Sequence, residues 1–224
     1  MFDLDRICRA LNAEGAEAVA DYRDKLLANA RNEAIYQDLI WEGIAALNLL
    51  WAGFRVRMRE SHDLEVALDS SMLYMEVKHF RWKAQDEIDE RVLGEAVKAG
   101  RLVSYGDTVS TEGGAPWEQV LAVAQRKIPQ YRDGFPNVLV IASSSTYAID
   151  EAIMPTAIAL INEISRTPPG AALRKLNGLL LLDRNFSLAH RRNAWFFETD
   201  NAVNPLEEGV RTALQAVRVW SRPA

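Results

Sequence analysis

The chain reads as an α/β protein, a mixed sheet flanked by helices, and three observations predict it. Apolar residues recur at helical spacing through about residues 3 to 51. They then alternate with polar residues at the two-residue period of strands, from Phe54 to Phe80. Beyond residue 116, helical patterns and short apolar runs take turns to the end. With 224 residues and 49% hydrophobic content, the chain can bury one sizeable core, so residues 1–224 are expected to form a single domain.

The elements follow in order. Leu4, Ile7, Leu11, Val19, Tyr22, Leu26 and Leu27 predict one or two amphipathic helices as an N-terminal extension over 1–31. A helix from about Asn32 to Trp51 comes next, and Gly53 after it suits a C-terminal cap. Phe54 to Arg59 alternates apolar and basic residues as a half-buried strand does, and Leu64 to Leu68 and Leu73 to Phe80 are strands joined through the turn residues Asp69, Ser70 and Ser71. The charged, then glycine-rich stretch from about Trp82 to Gly114 reads as an insertion holding one helix near Asp89 to Leu102. Pro116 suits the first position of a helix that Pro129 must stop, and the unbroken apolar run Asn137 to Ile141 predicts a strand covered on both faces. A core over 32–143 is then followed by an α/β elaboration over 144–224, with a helix at Asp150 to Ser165, strands at Gly178 to Leu182 and Trp195 to Glu198, and a closing helix from Pro205 to Trp220.

Composition narrows the function classes. A net charge of −5 argues against a protein that coats nucleic acid by global attraction, though an enzyme needs only a local basic rim. One cysteine, Cys8, excludes a disulfide framework or a thiolate cluster within the chain, and a buried thiol is its expected role. The first residues carry acids where a signal peptide needs a basic head, and no segment offers 18 uncharged apolar residues. The expectation is a cytoplasmic protein with no membrane partner.

The chemistry concentrates on the third strand. Period-two geometry puts Tyr74, Glu76, Lys78 and Phe80 on one face, with Glu76 and Lys78 roughly 6 to 7 Å apart. A carboxylate and an ammonium so placed can address one metal ion and one scissile phosphate, the pairing that phosphodiester hydrolysis requires. Asp63 opens the preceding strand, and an antiparallel turn brings it beside Glu76; Glu65, on the same face, is a second candidate for that place. Glu42 shares a helix face with Ile35, Leu39, Ala46 and Leu49, and a carboxylate on an apolar stripe requires a metal, a lysine or a hydrogen-bond donor to meet it.

Glu76-Val-Lys78, Asp63 ahead of it, Glu42 on the helix before, and the order helix, three strands, helix, strand resemble the PD-(D/E)xK nuclease superfamily over about residues 32 to 143. The resemblance implies a restriction-endonuclease-like fold and a Mg²⁺- or Mn²⁺-dependent nuclease acting on DNA. In that frame Asp63, Glu76 and the Val77 carbonyl hold the metal, Lys78 assists the attacking water, and Glu42 is an auxiliary acid. His62 stands where the family pattern has proline, and Gln125 with Tyr131 does not match the Q-x-x-x-Y spacing of some exonuclease-like members. Gln125, Lys127, Arg81 and Lys83 are candidate nucleic-acid contacts, and cleavage of both strands of a duplex favours a homodimer. The alternative is a non-catalytic nucleic-acid- or partner-binding module on the same fold.

Other clusters have plainer readings. Arg55, Arg57 and Arg59 read as the charged face of an edge strand, and His190, Arg191 and Arg192 as an exposed loop. Trp41, Trp51 and Trp117 are expected in the core.

Overall fold

A computed structural model describes residues 4–60, 63–80, 91, 94–101, 115–143, 149–183 and 194–218. Arg81, Lys83, His190, Arg191, Arg192 and most of the charged stretch after Trp82 lie outside the described residues. The helices are α1 (Leu4–Ala13), α2 (Val19–Ala28), α3 (Glu33–Trp51), α4 (Pro116–Lys127), α5 (Met154–Ser165) and α6 (Glu208–Ala216). The strands are β1 (Arg55–Met58), β2 (Leu64–Leu68), β3 (Ser71–Phe80), β4 (Asn137–Ser143), β5 (Leu176–Asp183) and β6 (Ala194–Glu198). They form one six-stranded sheet in sequence order, parallel across β3–β4 and β4–β5 and antiparallel elsewhere.

Local chemistry accounts for the boundaries. Gly15, at φ 81, ends the first helix, so two helices stand where one or two were expected. The Asn32 side chain accepts a hydrogen bond from the Ile35 amide at 3.2 Å and caps α3, and Gly53 at φ 91 turns the chain out of it. Asp69, at φ 51, makes the tight β2–β3 turn in which Leu68 faces Ser71. Pro116 starts α4, which passes into a single 3-10 turn containing Pro129. Two helices are shorter than their apolar patterns. α5 starts at Met154, because the Asp150 carboxylate caps the preceding turn through the Ala152 and Ile153 amides. α6 ends at Ala216, where Val217 takes an extended ψ of 139°.

Apolar side chains fill both faces of the sheet. On one side α1, α2, α3 and α6 bury Leu11, Leu26, Leu39, Leu49, Val210 and Leu214 against Val66, Leu73, Met75, Val77 and Val140. On the other, α4 and α5 bury Val120, Ala124, Met154 and Ile161 against Leu139, Ile141, Leu179 and Leu181. β4 is buried along its whole length, as its unbroken apolar run requires. Cys8 is buried. Of the three tryptophans expected in the core only Trp41 is there: Trp51 is 39% exposed as the last residue of α3 and Trp117 is 36% exposed in the first turn of α4, both at helix ends. No helix among the described residues is long and apolar enough to cross a membrane.

β1 is an edge strand, and its arginines are engaged locally. Arg55 donates to the Asp69 carbonyl, Arg57 lies 3.8 Å from Glu17, and Arg59 lies 3.4 Å from Glu65. Glu17 runs beside β1, its amide donating to Val56 O and its carbonyl accepting from the Met58 amide. That blunts an otherwise open edge.

A candidate active site where β3 outruns β2

The site arises from a difference in strand length. β2 begins at Leu64 opposite Met75, whereas β3 continues from Glu76 to Phe80. Asp63, the residue before β2, replaces the missing ladder contact: its Oδ2 accepts a hydrogen bond from the Val77 amide at 2.7 Å. The same oxygen lies 3.8 Å from the Lys127 ammonium, which donates to Glu76 Oε2 at 2.8 Å. The two carboxylate oxygens therefore cannot lie further apart than the sum of those distances, and Asp63 and Glu76 share one cation. Lys127 comes from the last turn of α4, on the sheet face opposite α3.

From the other face α3 presents Asp38 and Glu42, one helical turn apart. Glu42 is 8% exposed and accepts from Lys25 Nζ at 3.0 Å. Lys25 belongs to α2, which reaches α3 because position 43 is glycine. A Cβ there would meet the Tyr22 hydroxyl, and Ile7 Cδ1 at 2.6 Å; instead Tyr22 donates to the Leu39 carbonyl at 2.7 Å. Asp38 lies 3.8 Å from the Lys78 ammonium and 3.5 Å from His79 Nδ1, and the buried His79 ring stands over Trp41 at 5.2 Å between centroids.

Electrostatics tie these groups together. Burial pushes the Glu76 carboxyl up to about 7, and the negative charge of Asp63 adds to it; Lys127 and then Lys25 pull it back. Burial pushes Glu42 up to about 8, again with Asp63 adding and Lys25 opposing. Burial works against the charge on Lys127, yet Asp63 and Glu76 outweigh it and raise that lysine above its ordinary value. Three interacting carboxylates, Glu42, Asp63 and Glu76, thus stand against two ammoniums, Lys25 and Lys127.

The structure brings Asp63, Glu76 and Glu42 into one electrostatic cluster, while Glu65 is turned to Arg59. Lys78 stands beside Asp38, while the lysine in hydrogen-bond contact with Glu76 is Lys127. Gln125 lies exposed two residues before it on α4. Lys25 is the member that sequence reasoning missed. Its signal was the pairing requirement of Glu42, but nothing local connects residues 17 positions apart on different helices. Among the described residues, no three His, Cys, Asp or Glu groups are grouped closely enough to enclose an ion unaided. Comparison with protein-family models, with curated proteins and with solved structures finds no match to the chain.

Proposed function

We propose that the protein is a divalent-metal-dependent nuclease that hydrolyses phosphodiester bonds in DNA, built on a restriction-endonuclease-like core of α3, β1, β2, β3, α4 and β4. The observation that carries this reading is the convergence of Asp63 and Glu76 on one cation at the point where β3 outruns β2. The element order and the antiparallel β1–β2–β3 meander with β4 parallel to β3 support it.

The residues fit a metal of the expected kind. Mg²⁺ is commonly held by one or two carboxylates with waters and substrate phosphate completing its shell, so two converging acids suffice. The pair is already arranged around a positive charge, and Glu42 and Glu76 are raised first by burial and then by the Asp63 charge, which the two lysines oppose. Asp63 and Glu76 would hold the ion, with the Val77 carbonyl beside them. A bound Mg²⁺ or Mn²⁺ supplies polarisation of the phosphate and a more acidic water. Glu42 holds a proton on its carboxyl near neutral pH and is poised to exchange it, as a general acid or base must be. Lys127 puts a positive charge in contact with Glu76, and Lys78, beside Asp38, would assist the attacking water. One such site serves one strand, so a cut through both strands of a duplex calls for two copies of the chain.

The experiment is cleavage of supercoiled and linear DNA, with labelled RNA in parallel, in Mg²⁺ and in chelator. Nicking that needs the metal and disappears in Asp63→Asn and Glu76→Gln is expected. Equal cleavage by those variants would sink the assignment, and cleavage of RNA alone would move the substrate.

A second reading has its own observation. Glu42, Glu76 and Asp38 each sit with an ammonium, so the cluster also works as a charge lattice holding α2, α3 and α4 to β3 in a non-catalytic binding module. Calorimetry separates the two: the lattice alone shows no Mn²⁺ binding that depends on Asp63 and Glu76.

A further inference from the structure

Lys127 occupies the position that matters most at this site. Its ammonium hydrogen-bonds the Glu76 oxygen and faces the Asp63 oxygen, the two atoms best placed to receive an added cation. A cation held by those oxygens and an ammonium on the same Glu76 atom would be like charges on one ligand, and they repel. The charge count gives the sense of the rearrangement. A divalent ion brings two positive charges to oxygens that already share the Lys127 ammonium, and withdrawing Lys127 takes one positive charge away from them. The side chain can withdraw: it is one-fifth exposed, ends an α-helix, and carries a flexible four-carbon stem.

We propose that Lys127 is the resident counter-ion of the Asp63–Glu76 pair and leaves Glu76 when a divalent cation binds, which frees its ammonium for the substrate phosphate. The proposal rests on the metal-dependent reading above and adds a competition to it. Lys127 lowers cation affinity in the resting protein, and cation binding exposes Lys127. A lysine that merely stays beside the metal would lower the affinity too, but cation binding would not expose it.

Two measurements on the full chain test this. In the first, Mn²⁺ is titrated calorimetrically into the wild type, Lys127→Met, Lys127→Arg and Glu76→Gln. Lys127→Met, which keeps the stem and loses the charge, should bind at least about tenfold more tightly than wild type; Lys127→Arg should not gain. Equal or weaker binding by Lys127→Met overturns the proposal. In the second, which needs no variant and so survives a Lys127→Met chain that fails to fold, amine acetylation at Lys127 is followed by mass spectrometry. Labelling should rise several-fold on adding Mn²⁺ to wild type and stay unchanged in Glu76→Gln; no rise in wild type that has bound Mn²⁺ overturns it. Failure of the parent reading looks different. If wild type binds no Mn²⁺ but Lys127→Met gains a Glu76-dependent site, the counter-ion role stands and the metal-dependent function falls. If neither chain binds, both fall.

Discussion

Two polar clusters are buried in the sheet, one at the amino ends of β4 and β5 and one around the middle of β3, and they are built on opposite principles. At the amino ends of β4 and β5, the Asn137 side chain accepts from the Arg132 amide and donates to the carbonyls of Arg132, Phe135 and Lys175, while Asn177 Oδ1 accepts from the Asn137 backbone amide and Asn177 Nδ2 donates to the Asn204 carbonyl. Thr199 Oγ1 donates to the Leu176 carbonyl at 2.6 Å. This cluster is neutral, and its donors meet acceptors, the condition under which buried polar groups stabilise a fold. Around the middle of β3 the groups are ionisable, three acids to two lysines, and two of the carboxyls are raised to about 7 and 8. Burying charge in that state works against folding. A chain able to build the amide lattice on β4 and β5 did not need the ionisable one on β3 for stability, and that contrast gives the carboxylate cluster its functional weight.

Substitutions that swap the roles of the two clusters are the strongest way to break the comparison. Asp63→Asn and Glu76→Gln should each lower DNA cleavage by roughly a thousandfold, the scale of several kcal/mol of lost charge stabilisation. In chelator, both variants should melt at or above the wild-type temperature. Asn137→Ala should do the reverse: a loss of about 3 kcal/mol in urea unfolding, from stranded buried carbonyls and an amide, with cleavage per folded molecule unchanged. A Glu76→Gln chain that is strongly destabilised and an Asn137→Ala chain that is not would dissolve the distinction.

The comparison also has a pH signature. Glu42 and Glu76 lie above the ordinary 4.5 in the folded chain, so the folded state holds their protons more tightly than the unfolded state does. Their contribution is most favourable below about pH 4.5 and is lost as pH rises through about 7 and 8, at about 1.4 kcal/mol per pH unit of displacement, or roughly 3 kcal/mol for one carboxyl. Urea midpoints of the metal-free protein at pH 5 and pH 9 should therefore converge in a Glu42→Gln, Glu76→Gln double variant relative to wild type. Parallel curves would show that the two carboxyls are not displaced.

What could be read in advance divides along a physical line. β4 announced itself because a strand covered on both faces must be apolar throughout, and Asp63 and Glu76 because a short turn fixes which residues of β2 and β3 are neighbours. Local rules decide such features. Lys127 and Lys25 reach the site from 51 and 17 positions away through helix packing, so which lysine meets which acid follows from the tertiary arrangement. Lys78 shows the same limit: strand period aligns it with Glu76, yet its flexible stem places the ammonium at Asp38. Hydrophobicity alone places Trp51 and Trp117 in the core, but it does not report that a residue at a helix end is left half-covered.

The smallest effect tests whether the N-terminal helices belong to the charged cluster or only pack beside it. Lys25 connects to the rest through Glu42, and the Gly43 contact with Tyr22 sets the distance. Lys25→Met leaves Glu42 buried without its ammonium, so Glu42 should stay protonated further into the alkaline range and cleavage should fall about tenfold near neutral pH, recovering in part as pH rises. Combined with Glu42→Gln the second substitution should cost nothing further, because two residues that act only through each other are non-additive. Additive losses in cleavage would mean that Lys25 acts elsewhere, and an unchanged pH profile in Lys25→Met would place α2 outside the site and confine the charged cluster to α3, β3 and α4.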